Sequence, residues 1–191
     1  KLEGLFMLIP VLVALIYREH NGVWFAIVAV CALVFGAVVT HKKPESNVFY
    51  MREGCIATAM SWFIMSVIGC LPFFLSGEIP SFTDALFETV SGFTTTGSTI
   101  LSDVESLSYC MLFWRSFTHW IGGMGVLVFL LAVIQMTGGS NMNLLRAESP
   151  GPSVGKLVPR MMHTARILYV IYLGMTVILF VLLVCGKMSV F

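Results

Sequence analysis

Charge is what this sequence has least of. Eleven Lys and Arg and ten Asp and Glu make up 11% of its 191 residues, against about 25% in a soluble domain. A soluble fold must cover its exterior with polar groups, and this set is too small to do so. A basic excess is missing too: the formal charge is +1, whereas a nucleic-acid-binding surface needs clustered Lys and Arg, so a nucleic-acid partner is excluded. Paired cysteines are missing. Cys31, Cys55, Cys70, Cys110 and Cys185 never fall at C-x-x-C spacing, which removes the zinc and redox motifs built on it. They read as small hydrophobes facing lipid or neighbouring helices. No stretch resembles a signal peptide with its cleavage site. The chain opens at Lys1 and stops at Phe191 just after an apolar run, so the expectation is a piece of a longer polypeptide.

What is abundant is apolar: 58% of the residues are hydrophobic and the mean hydropathy is +0.92. A helix advances about 1.5 Å per residue, so about 20 apolar residues cross a bilayer core of about 30 Å. Five stretches approach that length: Gly4 to Tyr17, which contains Pro10; Val23 to Thr40; Gly54 to Leu75, with Pro72 near its end; Tyr109 to Met136, carrying Arg115 and His119; and Ile167 to Gly186. Lys42, Lys43 and Arg52 lie between the second and third, and Arg146, Lys156, Arg160 and Arg166 between the fourth and fifth. Ser76 to Cys110 has no Lys or Arg but holds Glu78, Asp84, Glu88, Asp103 and Glu105. Positive residues stay on the cytoplasmic side. The expected topology is therefore multi-pass in a plasma membrane, with a cytoplasmic amino terminus and the acidic segment outside. Arg18, in the tight turn after the first stretch, runs against this and is outnumbered.

The acidic segment is neither a span nor an ordinary loop. Ser81 followed by Asp84 is a capping pattern, and an acid suits a helix's first turn. Phe82, Ala85, Leu86 and Val90 recur at helical spacing, which predicts a re-entrant half-helix over Phe82 to Ser91, too short to span. Gly92 reads as its stop. Thr94, Thr95 and Thr96 follow, β-branched residues that disfavour helix and favour extended backbone, and then Gly97. Extended backbone at membrane depth is tolerated only where it lines a polar cavity. Carbonyls pointed at an axis there can replace a cation's hydration shell. The half-helix aims its partially negative end at the same place.

Three motifs then carry a resemblance. Phe87-Glu88-Thr89-Val90-Ser91-Gly92-Phe93-Thr94-Thr95-Thr96-Gly97 resembles the first pore loop of the Trk/Ktr/HKT potassium transporter superfamily, most of all its TrkH branch. His119-Trp120-Ile121-Gly122-Gly123-Met124-Gly125 is similar to the helix after that loop. Ala147-Glu148-Ser149-Pro150-Gly151-Pro152 is similar to the next cytoplasmic loop. The resemblance implies an all-α integral membrane protein with four helix–pore loop–helix repeats around one pore. Residues 1–53 would be the leading helix pair and its cytoplasmic loop, 54–136 the first repeat, and 137–191 a cytoplasmic loop and the first helix of the second repeat. It implies K+ held by carbonyls of Thr95 and Thr96 first, with Thr94 and Gly97, and no cofactor other than K+ as the transported ion. Gly97 occupies the filter-glycine position; members with serine there are associated with sodium permeation, so glycine favours potassium. Gly92, Glu88 and Arg115 would support the loop. Expected partners are the lipid bilayer, a second copy of the full-length subunit in a homodimer, and a TrkA-like nucleotide-binding regulatory subunit. The expected location is the bacterial inner membrane.

Other readings stay open on the residues alone. Arg115 pairs with Glu88 or snorkels to the interface. His119 is a hydrogen-bonded structural residue, a proton relay or a metal ligand. Gly122, Gly123 and Gly125 permit close helix packing or form a hinge. Thr137-Gly138-Gly139-Ser140 echoes the filter but follows a span directly and reads as a cytoplasmic loop. Competing functions are a sodium-coupled carrier with discontinuous helices and an intramembrane serine hydrolase built on Ser91 and His119. The hydrolase motif lacks the glycine two residues before its serine, where Thr89 stands.

Overall fold

The computed structural model describes residues 1–41, 51–125 and 157–186, with side-chain surroundings for all of these except 51–55 and 157–165. Among the described residues the regular elements are helices, with no strand. They are α1 (Leu2–Phe6), α2 (Leu8–Tyr17), α3 (Gly22–Val39), α4 (Met51–Ser76), α5 (Phe82–Phe93), α6 (described over 109–125) and α7 (Leu157–Cys185). The far half of the fourth expected span, Lys42, Lys43, Thr137 to Ser140, Arg146, Ala147 to Pro152 and Lys156 lie outside the described residues.

Among the described residues three helices are long and apolar enough to cross a membrane: Gly22–Val39, Ile56–Ser76 and Arg166–Cys185. The shorter apolar stretch Leu2–Tyr17 is divided at Met7 into α1 and α2. Pro10 explains the position of that division. It lacks an N–H for the carbonyl of Phe6 and is tolerated in the first turn of a helix, which is where α2 places it. Pro72, by contrast, sits inside α4, and the helix carries through it to Ser76. Val30, Val34, Phe35 and Val38 of α3 and Ile56, Met60 and Phe63 of α4 are exposed, as suits surfaces solvated by lipid.

The chain divides into two units, Lys1–Gly122 and Gly123–Phe191. In the second, α7 runs 29 residues, and within it Arg166–Cys185 has a mean hydropathy of 2.8. In the first, α2 and α3 pack together, α3 meets α4, and α4 meets α5. Trp114 of α6 is the centre of that core and is fully buried. Its ring lies edge-on to Phe25 of α3 at 5.9 Å and to Phe93 of α5 at 6.5 Å. Its indole N–H donates to the Gly69 carbonyl of α4 at 2.9 Å. One side chain thus joins four helices, with its polar atom satisfied, as a buried tryptophan requires.

Polar contacts fix one end of this unit. Arg18 takes the left-handed conformation, φ 56°, to end α2. The next residue, Glu19, accepts from the backbone N–H of Tyr109 at 2.8 Å and of Cys110 at 3.0 Å. A carboxylate on the first free N–H groups of α6 satisfies donors that have no partner within the helix. Glu78 accepts from the Ser108 N–H at 3.1 Å and hydroxyl at 2.6 Å, and from the Asn21 side chain. Tyr17 stacks on Tyr109 at 4.5 Å. Glu3 of α1 is also buried, and its Oε1 has no hydrogen-bond partner among the described residues.

Candidate functional site

The half-helix exists as α5, longer than the sequence implied. Ser81, at φ −89° and ψ 123°, caps it, its hydroxyl accepting from the Asp84 N–H at 3.4 Å. Its other end differs from the expectation. Gly92 does not stop the helix, which continues through Phe93. Its glycine character serves close packing instead: a Cβ there would lie 2.3 Å from the Thr118 hydroxyl of α6. Gly122 does the same from the other side, since its Cβ would come within 2.2 Å of the Phe93 carbonyl oxygen. Of the two readings for that glycine, the observed contact is close packing. Phe93 itself is fully buried against Trp114 and Trp62.

The loop that follows is not simply extended either. Thr94 stays helical (φ −81°, ψ 0°), Thr95 is left-handed at φ 57°, and Gly97 has φ 77°. A β-branched residue at positive φ is a genuine outlier. Such conformations cost about 1–3 kcal/mol and persist where the surroundings over-determine them. Here the backbone does so. The N–H groups of Thr94, Thr95, Thr96 and Gly97 all turn back to the end of α5, donating to Val90 at 2.9 Å, Gly92 at 2.9 Å, and Ser91 at 3.0 and 3.4 Å respectively. Among the described residues no peptide bond is cis. In a planar trans peptide the C=O points opposite to the following N–H. The carbonyls of Thr94, Thr95 and Thr96 are therefore directed away from α5, on a stretch, Thr94 to Ile100, that is exposed throughout. The Thr94 carbonyl also accepts the Thr95 hydroxyl at 2.7 Å. Among the described residues, no hydrogen bond reaches the carbonyls of Thr95 and Thr96.

Side chains hold the loop's far flank. Glu88, whose side chain is 1% exposed, directs Oε2 to the Thr99 hydroxyl at 3.0 Å and the Ile100 N–H at 3.2 Å, while Oε1 receives Arg115 Nε. One buried carboxylate thus joins α5, the loop and α6. Three residues on, and so on the same face of the helix, the Ser91 hydroxyl donates to the Ser98 carbonyl at 2.6 Å. Nδ1 of His119 lies 2.8 Å from the Arg115 carbonyl, to which the Thr118 hydroxyl also donates at 2.7 Å. Neither Ser91 nor His119 directs its hydrogen bond at the other. Among the described residues no group of three or more His, Cys, Asp or Glu could hold a metal ion.

The structure thus gathers Glu88, Gly92, Thr94, Thr95, Thr96, Gly97 and Arg115 at one junction of the first unit. Sequence reasoning did not assign the clamps made by Glu19 and Glu78. Ser108, a capping residue type immediately before the start of α6, was the available signal for one of them.

Residues 21–189 match the TrkH family, described as a cation transport protein. The chain is 41% identical over 175 residues to the Trk system potassium uptake protein TrkH of Escherichia coli (strain K12), which covers 90% of this chain and 36% of that protein. It is 39% identical over 174 residues to the Trk system potassium uptake protein TrkG of the same strain, with the same shares covered. An uncharacterized cation transporter of Methanocaldococcus jannaschii is 33% identical over 189 residues, which is 99% of this chain and 39% of that protein. The chain therefore spans little more than a third of the length of these relatives. With the family matched across most of its residues, the chain belongs to the TrkH family of cation transport proteins.

Proposed function

We propose that this chain supplies one quarter of a potassium-selective filter, and that the full-length protein takes up K+ through a single pore lined by backbone carbonyls. The observation that carries the reading is the loop's polarity. Its N–H groups are consumed by the end of α5, which leaves the carbonyls of Thr95 and Thr96 turned outward with no donor among the described residues. A ring of four such loops would present the oxygens that replace a K+ hydration shell. The partially negative end of α5 points at the same place. Thr94 and Gly97 would flank the ring, with Gly92, Glu88 and Arg115 holding it in place. Permeation needs no bond made or broken, and no cofactor beyond the ion.

In this reading residues 54–136 are the first repeat, preceded by the leading pair and followed by the first helix of the second repeat. The remaining three filter segments lie elsewhere in the full-length protein. The protein sits in the bacterial inner membrane as a homodimer, with a TrkA-like nucleotide-binding subunit on its cytoplasmic face. The family membership and the words "Trk system" in the relatives' names support this assembly.

The test is K+ and Na+ uptake by the full-length protein in potassium-starved cells, with Gly97→Ser beside wild type. Gly97 has φ 77°, and nothing lies within 4 Å of where a Cβ would stand. Serine therefore fits sterically but strains the backbone by about 1–3 kcal/mol. Expected is a K+/Na+ preference reduced at least fivefold, about 1 kcal/mol of lost discrimination. An unchanged preference refutes the filter assignment. A sodium-coupled carrier would instead show K+ uptake that stops when the sodium gradient is collapsed. The serine-hydrolase alternative draws no support from the site, because the hydroxyl of Ser91 and the ring of His119 are each committed to a backbone carbonyl.

A further inference from the structure

We infer that Ser91 is a specificity-determining positioning residue: its hydroxyl withdraws the Ser98 carbonyl from the ion path and so sets where the column of coordinating oxygens ends. The inference rests on the filter reading above and adds a residue to it that the pore-loop motif alone does not single out. Three observations converge on this serine. Its side chain is buried, the residue being 5% exposed. Its carbonyl accepts from both Thr96 at 3.0 Å and Gly97 at 3.4 Å, so it aims the carbonyls preceding those two N–H groups. Its hydroxyl donates to Ser98 at 2.6 Å. A single residue therefore grips three successive loop positions, through one donor and one acceptor.

The consequence for ions follows from counting oxygens. Thr95 and Thr96 offer carbonyls that no donor reaches among the described residues, whereas the Ser98 carbonyl is occupied by the hydroxyl. A carbonyl already accepting a short hydrogen bond is a weaker ligand for a cation, because its lone-pair density is shared. The hydroxyl also closes the loop from residue 91 to residue 98, fixing its width. Filter selectivity depends on the number and spacing of coordinating carbonyls, and both change when this hydroxyl is removed. Ser91→Ala frees the Ser98 oxygen and slackens the loop, while the bonds from Glu88 to Thr99 and Ile100 remain.

The experiment compares full-length wild type, Ser91→Ala, Ser91→Cys and Gly97→Ser for K+, Rb+ and Na+ uptake in potassium-starved cells, normalised to folded protein in the membrane. Expected for Ser91→Ala is a K+/Na+ preference reduced about two- to tenfold, the worth of one hydrogen bond, with K+ transport retained. Ser91→Cys, a weaker donor of similar shape, falls between. A purely structural serine would lower the amount of folded protein and leave the preference per molecule intact; that result overturns the inference. If Ser91→Ala does not fold, Ser91→Cys decides, and a wild-type preference there overturns it equally. If Gly97→Ser shifts the preference while the Ser91 variants do not, this inference fails alone. If none of the variants shifts it, the filter reading fails and this inference with it.

Discussion

Removing Arg115 is the sharpest probe of how the loop is held. The Glu88 side chain is 1% exposed and that of Arg115 17%. Among the described residues the carboxylate has three partners: the guanidinium on one oxygen, and the Thr99 hydroxyl and Ile100 N–H on the other. Arg115→Ala deletes the cationic one of these three and leaves a buried anion with two neutral donors. Breaking a buried pair from one side costs about 3–5 kcal/mol, because the remaining charge stays desolvated. Arg115 is partly open to water, which places the expected loss near the lower figure, about 3 kcal/mol. Glu88→Ala removes the ion pair and both loop tethers, and hydrogen bonds to a charged acceptor contribute about 1.5–3 kcal/mol each. It should therefore be the more damaging change, in stability and in transport. A double variant, Glu88→Ala with Arg115→Ala, carries neither charge. Its loss should fall short of the sum of the single losses by about 0.5–3 kcal/mol, the range for coupled contacting residues. Unfolding of full-length protein in detergent, with K+ uptake in parallel, reads all of these. A wild-type midpoint for Arg115→Ala, or strict additivity in the double variant, would refute the account of a buried carboxylate tying α5, the loop and α6 together.

Two further substitutions test the packing of the first unit. Gly122→Ala places a methyl 2.2 Å from the Phe93 carbonyl oxygen, backbone against backbone, so α5 and α6 must separate; overpacking of this kind costs about 1–3 kcal/mol. A lower unfolding midpoint with impaired K+ uptake is expected, and a variant matching wild type in both would show that the helices do not meet so closely. Glu3→Gln replaces a buried carboxyl whose Oε1 has no partner among the described residues with a neutral amide of similar volume. Moving an ionisable carboxyl out of water costs more than moving a neutral amide, so folded yield should hold or rise; a marked fall would mean that the carboxyl has a partner in the full-length protein.

The parts of this site visible in the sequence are those set by near neighbours. Ser81 and Asp84 announce the start of α5, because a cap needs only residues three apart, and the spacing of Phe82, Ala85, Leu86 and Val90 announces its course. Glu88 and Arg115 could be proposed as a pair because an ion inside an apolar span needs a counter-ion, and the acidic segment offered few. What escaped notice depends on partners far along the chain. Gly92 looks like a helix terminator until Thr118 is placed beside it, after which it reads as a packing residue inside α5. Three consecutive threonines favour extended backbone by propensity. Yet Thr94 is held helical and Thr95 left-handed by hydrogen bonds to the end of α5, tertiary context overriding local preference. Glu19 and Glu78 each look like solvated surface acids, and nothing nearby in sequence hints that Tyr109 and Ser108 lie at their tips.

The way the loop is tied also bears on how an exposed, strained segment can hold a fixed shape. Thr95 at positive φ would relax in a free turn. Instead the last turn of α5, whose carbonyls have no partners within the helix, uses the loop's N–H groups as its cap. Three of these bonds, from the N–H groups of Thr95, Thr96 and Gly97, satisfy the helix end and aim the carbonyls of Thr94, Thr95 and Thr96 outward at the same time. The remaining freedom, at Ser98 to Ile100, is taken up by Ser91 and Glu88, one helical turn apart on a helix pinned through Phe93 to Trp114 and through Glu88 to Arg115. The loop's shape is therefore a property of α5 and its two neighbours, not of the threonines. It follows that substituting Thr94 to Thr96 with residues that keep the backbone bonds should disturb ion preference less than a change at Ser91, Glu88 or Gly122, none of which would touch the ion.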